Sequence, residues 1–124
     1  MQPDSLRLRI SAITGFFAIL LGALGAHGAL HEKLKAAGQL EHWETALRYH
    51  LPHAVLLLAI ALLADGSKAL RRAWSFLHAG VILFSGSLYV LACTGVKWLG
   101  AVTPFGGVSL MLGWLLLVFA AKGK

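Results

Sequence analysis

Six histidines are the residues of this chain best suited to chemistry: His27, His31, His42, His50, His53 and His78. Imidazole ligates metals and haem iron and carries protons near neutral pH. His27 and His31 stand four apart and His50 and His53 three apart, so each pair falls on one face of a helix. Tyr49, Ser85, Ser87, Tyr89 and Thr103 add hydroxyls. The lone Cys93 allows no internal disulfide and no multi-cysteine metal site. Its simplest role is that of a small apolar packing residue. No His-Glu-x-x-His motif, phosphate-cradling loop or Ser-His-Asp set is present, so nothing positive argues for catalysis.

The elements that must position these side chains are read from charge. No Asp, Glu, Lys or Arg occurs in Ile10–Leu30, Tyr49–Ala64, Ala73–Val96 or Trp98–Ala121. A bilayer core takes about 20 apolar residues per helix. Three runs reach that length. The second is extended by Leu47, with Arg48 snorkelling to the headgroups. The sequence is 58% hydrophobic and 13% charged, with a mean hydropathy of +0.75. A soluble fold of this size could not hide so much apolar surface.

The expected fold is therefore all-α. It is a bundle of four transmembrane helices in one integral membrane domain, residues 1–124, with the bilayer as principal partner. The spans are roughly 8–30, 47–64, 73–96 and 104–121. The segment Leu40–Arg48 is amphipathic and predicts a short interfacial helix between the first two spans, with Trp43 at the headgroups. Pro52 predicts a kink or a helix start. Thr103-Pro104 predicts the start of the fourth span, which would leave the free amides near Gly106 and Gly107 at its N-terminus. The first apolar run exceeds a secretory h-region, so a cleaved signal peptide is not expected.

The net charge of +6 does not point to nucleic acid, because the basic residues flank the spans. With the N-terminus in the cytoplasm, Arg7, Arg9, Lys68, Arg71, Arg72, Lys122 and Lys124 lie inside. Lys33, Lys35, Arg48 and Lys97 lie outside. Seven of the eleven basic residues are then internal, which predicts an N-in, C-in protein of the plasma membrane.

Gly15, Ala18, Gly22, Gly25, Ala26 and Ala29 form a small-residue stripe on the first span. Gly106, Ser109, Gly113 and Ala120 form another on the fourth. Such stripes let membrane helices approach closely, within a protomer or in a homo-oligomer. His78, Ser85 and Tyr89 share one face of the third span, as a polar path or as interhelical hydrogen-bonding groups. Topology sets His27, His31, Tyr49, His50, His53 and Thr103–Gly107 at one depth, near the outer interface.

Gly22-Ala23-Leu24-Gly25-Ala26-His27 resembles the first signature of the domain of unknown function 423 family. Tyr49 and His53 resemble its second, Leu83–Tyr89 its third, and Thr103-Pro104-Phe105-Gly106-Gly107 with Gly113-Trp114 its fourth. The family consists of small four-helix membrane proteins of bacteria, with animal relatives and no assigned activity. The resemblance weights His27, Tyr49, His53, Ser85, Ser87, Tyr89, Thr103, Gly106 and Gly107 as ligand-binding residues. It does not weight His31, His42, His50 or His78.

Three readings follow. A small anion or lipid headgroup could sit among these residues, capped by the amides of Gly106 and Gly107. The chain could be a structural or accessory subunit of a small oligomer. His27 and His53 could ligate a metal or haem in a redox protein. Neither the cofactor nor the ligand is fixed by sequence.

Overall fold

The computed structural model describes residues 3–122, without the side chain of Lys122; Lys124, counted above as an internal basic residue, lies outside them. Among the described residues there is only helix and turn: α1 (Ser5–Ala26), α2 (Gly28–Ala36), α3 (Leu40–Leu63), α4 (Lys68–Val81), a π-helical turn (Ile82–Gly86), α5 (Ser87–Thr94) and α6 (Leu99–Lys122). Helix α4, the π-turn and α5 run on as one rod. Four helical stretches are long and apolar enough to cross a membrane: Ser5–Ala26, Leu40–Leu63, Lys68–Thr94 and Leu99–Ala121.

Each element begins or ends for a local reason. Asp4 caps α1 by accepting from the Arg7 amide at 3.1 Å. The Asp4 amide donates to the Ala61 carbonyl at 2.9 Å and ties this end to α3. Asp4 Oδ2 also meets Arg7 Nη1 at 2.9 Å and Arg71 Nε at 3.5 Å. The Arg7 amide bond, with both guanidinium groups beside it, lowers the Asp4 pKa below its ordinary value of 3.8. At the other end α1 stops where His27 is extended and Gly28 takes φ +83°, a region glycine enters at no steric cost. His31 then donates from Nδ1 to the Gly25 carbonyl at 2.8 Å, folding α2 back onto the end of α1.

Several boundaries differ from those predicted. The short amphipathic helix between the first two spans exists, but it is α2, with Leu34 buried and Glu32, Lys33 and Lys35 exposed. Leu40–Arg48 is instead the first part of α3, and the helix runs through Pro52. Trp43 is turned into the bundle. It is 3% exposed, donates to the Leu21 carbonyl at 3.0 Å and fills the space left by Gly25. A tryptophan whose N–H finds a buried acceptor is more stable inside the bundle than at the interface. Thr103-Pro104 does not start α6. Leu99, Gly100 and Ala101 donate to the carbonyls of Val96, Lys97 and Trp98, and this turn nucleates the helix before Pro104 is reached.

Several glycines of the small-residue stripes pack against neighbouring helices of the chain. Gly25, Gly22 and Gly15 face Trp43, Leu47 and Ala54 of α3. On α6, a Cβ at Gly106 would overlap the Phe84 amide nitrogen, and one at Gly113 would meet Leu77. Gly80 of α4 would likewise meet the Leu110 backbone at 2.9 Å. Backbones approach here because the lipid offers no hydrophobic drive and close van der Waals contact must substitute. Helix α1 packs against α3, α4 packs against α6, and α3 joins the two pairs. The core between them is Leu57, Ile60, Trp74, Leu77, Val81 and Leu110.

Candidate functional site

The third span carries the polar line predicted from its sequence, and the line faces a cavity. A cleft of about 460 Å³ separates α1 from the α4–α5 rod. Ile10, Ile13, Phe17, Val81 and Ile82 form its apolar walls, with Thr14, His50, His78, Ser85 and Tyr89 among the polar lining. Ile13 and Ile82 are more than half exposed and Phe17 is 46% exposed, so the mouth opens sideways.

His50 anchors the floor. Its Nε2 lies 2.9 Å from the Thr14 carbonyl and its Nδ1 lies 2.8 Å from the Tyr89 hydroxyl. A carbonyl can only accept, so Nε2 carries the proton. No acidic side chain lies in Tyr49–Ala64 or Ala73–Val96, so an imidazolium here would be an unpaired buried charge and the ring is neutral. Nδ1 therefore accepts, and Tyr89 donates. The Trp43 ring packs edge-on against Tyr89 at 4.8 Å. Ser85, 1% exposed, donates to the Ala46 carbonyl at 2.7 Å, and Thr14 donates to the Ile10 carbonyl at 2.8 Å. At the far end of the cleft the His78 ring stacks on Trp74 at 4.8 Å.

The other predicted residues are distributed around the bundle. Tyr49, His53 and Gly107 line a second cavity of about 290 Å³ with Phe84, Met111 and Trp114. His53 is fully engaged there: Nδ1 donates to the Tyr49 carbonyl at 2.7 Å, and Nε2 accepts from the Trp114 indole at 3.1 Å. Ser87 and Thr103 form a hydroxyl pair at 2.6 Å that bridges α5 to α6. Gly106 is buried against the π-turn. His27 sits exposed at the break between α1 and α2 and lines neither cavity.

Sequence depth was enough to bring Tyr49, His53 and Gly107 together, and Ser85 with Tyr89. It did not reveal that the two groups face different sides of α3. The amides of Gly106 and Gly107 are interior to α6, each within reach of a carbonyl one turn back. They are not free to cap an anion. Among the described residues no three His, Cys, Asp or Glu side chains come together to hold a metal. A ligand on His53 would first have to displace the Tyr49 carbonyl or the Trp114 indole.

His50 is the residue that family weighting left out. The signal was present in the spacing: Trp43, Ala46, His50, Ala54, Leu57 and Ala61 are all buried on α3, and steps of three and four mark the helix face that packs inward.

The fold defines a four-span helical membrane protein. Comparison with known proteins gives this class a family. Residues 21–107 match the model of "Protein of unknown function (DUF423)", and the chain belongs to that family. It is 43% identical over 115 residues to the UPF0382 membrane protein YwdK of Bacillus subtilis, covering 90% of this chain and 92% of that one. It is 42% identical over 111 residues to the UPF0382 membrane protein SSP2132 of Staphylococcus saprophyticus, with 88% and 90% covered. It is 38% identical over 116 residues to the UPF0382 inner membrane protein YgdD of Escherichia coli, with 92% and 87% covered. No solved structure matches the chain.

Proposed function

We propose that this protein binds one neutral, lipid-soluble amphiphile in the lateral cleft between α1 and the α4–α5 rod. The observation that carries this reading is the His50–Tyr89 pair, a polar device at the floor of a largely apolar cavity. A volume of about 460 Å³ is within the range of small-molecule sites, which join apolar walls to a few fixed polar groups. The walls offer no cation to an anion and no carboxylate to a cation. A neutral ligand with a long apolar part is what this lining suits, in place of the anion considered from sequence.

We further take the N-terminus and C-terminus as cytoplasmic, on the basic-residue count, and the membrane as the bacterial inner one, as in the name of the Escherichia coli relative. His50 and Tyr89 then lie in the outer half of the bilayer.

Gly86 supplies the test. It lines the cleft, and a Cβ there would meet nothing within 4 Å. Its φ is −60°, which an L residue adopts without strain. Gly86→Leu would fill the cleft without disturbing the bundle. Untagged protein is transferred to nanodiscs and its lipid is extracted and analysed by mass spectrometry. The expected result is one neutral lipid, stoichiometric with wild type and absent from Gly86→Leu of unchanged helicity. Equal amounts of every lipid in both proteins would refute the reading.

A further inference from the structure

The geometry points to a rule for which molecules the cleft accepts: they must offer a hydrogen-bond donor, so the cleft selects a lipid-soluble alcohol over the corresponding ketone, ether or ester. This rests on the binding role proposed above. Four side chains supply hydrogen-bonding groups to the outer part of the lining, and each has already given its proton away. Thr14 donates to the Ile10 carbonyl, Ser85 to the Ala46 carbonyl and Tyr89 to His50 Nδ1. His50 spends its one N–H on the Thr14 carbonyl. A hydroxyl has one proton and two lone pairs. What remains toward the cavity is a set of oxygen lone pairs, an acceptor-only surface.

A ligand hydroxyl placed there donates to Tyr89 or Thr14 and completes a bond. A ketone or ether oxygen at the same point brings lone pairs against lone pairs and loses its hydrogen bonds to water or headgroups without replacement. An anion is excluded for the same reason. A protonated amine could donate, but it would carry an unpaired charge into apolar walls. The neutral hydroxyl is the polar end that remains.

His78 is the one exception in the lining. Its ring nitrogens have no hydrogen-bond partner among the described residues, so it can donate. It stands eleven residues before Tyr89, about 16 Å along the helix. It therefore serves the other end of the cleft and does not relax the rule at the floor.

The test uses two probes of one carbon skeleton, heptadecan-2-ol and heptadecan-2-one, radiolabelled and presented to the full-length protein in nanodiscs at equal loading. The alcohol is expected to bind about tenfold more tightly, the worth of roughly one hydrogen bond. His50→Leu adds a second measurement. Without Nδ1 to receive it, the Tyr89 proton turns toward the cavity, and the preference for alcohol should shrink or reverse. Equal binding of the two probes to wild type, or tighter binding of the ketone, would overturn the donor rule and leave the cleft as a binding site. An alcohol preference unchanged in a folded His50→Leu protein would also overturn it. Binding of neither probe would overturn the cleft reading itself, and the rule with it.

Discussion

Gly106→Ala is expected to destabilise the protein by about 2 kcal/mol, although alanine is the better helix former. The added Cβ falls on the Phe84 amide nitrogen and within 2.8 Å of the Phe84 Cα and the Leu83 carbonyl carbon. These are backbone atoms of the π-turn, so no side-chain rotation can relieve the overlap. Overpacking of this kind costs roughly 1–3 kcal/mol, and contact with backbone argues for the upper part of that range. Replacing a helical glycine returns about 1 kcal/mol, which leaves the net figure. Gly86→Ala is the control. It gains the same propensity and meets no atom, so it should stabilise by roughly 1 kcal/mol. The two variants, twenty residues apart in one bundle, should thus differ by about 3 kcal/mol. Equilibrium unfolding in mixed micelles, followed by far-ultraviolet circular dichroism, measures both. If Gly106→Ala is as stable as wild type, α6 does not pack on the π-turn backbone and the seam described here is wrong.

Other expectations are smaller in reach. Tyr89→Phe removes a buried interhelical bond and should cost about 0.6 kcal/mol, the mean for such bonds in a bilayer, in the same unfolding assay. Gly25→Ala drives a methyl into the Trp43 ring and should cost roughly 1–3 kcal/mol, with a shift in tryptophan emission as the indole leaves the Leu21 carbonyl. Asp4 gives a pH dependence. Its folded pKa is lowered, so its contribution is present in full above the unfolded value of 3.8 and is lost as pH falls toward the folded value. Acid titration of stability should show this loss in wild type, and Asp4→Asn should flatten it.

The fold was legible because charge is so expensive in hydrocarbon that its absence marks each span. The ends were less so. Thr103-Pro104 has the chemistry of a helix start, yet the turn at Val96–Ala101 begins the helix first. Trp43 has the chemistry of an interfacial anchor, yet Gly25 opens a place for it inside. Both outcomes depend on a partner distant in sequence. Grouping by depth put His27 with Tyr49 and His53, yet His27 lines neither cavity, because depth does not tell which face of a helix a residue takes. Ser85 and Tyr89 could be paired from periodicity alone, whereas the π-turn at Ile82–Gly86 leaves no signal in hydropathy. His50 was passed over because its importance lies in two partners, Thr14 and Tyr89, on other helices.

The mouth of the cleft has one further consequence. Ile13, Phe17 and Ile82 border it, so it opens on an apolar flank of the bundle. A ligand bound as proposed would arrive by partitioning into the bilayer and diffusing in two dimensions. Its occupancy would then be governed by its mole fraction among the lipids and not by its concentration in solution. Adding lipid at constant ligand would empty the cleft, and adding buffer would not. Under the proposed function, the protein would take the composition of the membrane as its input.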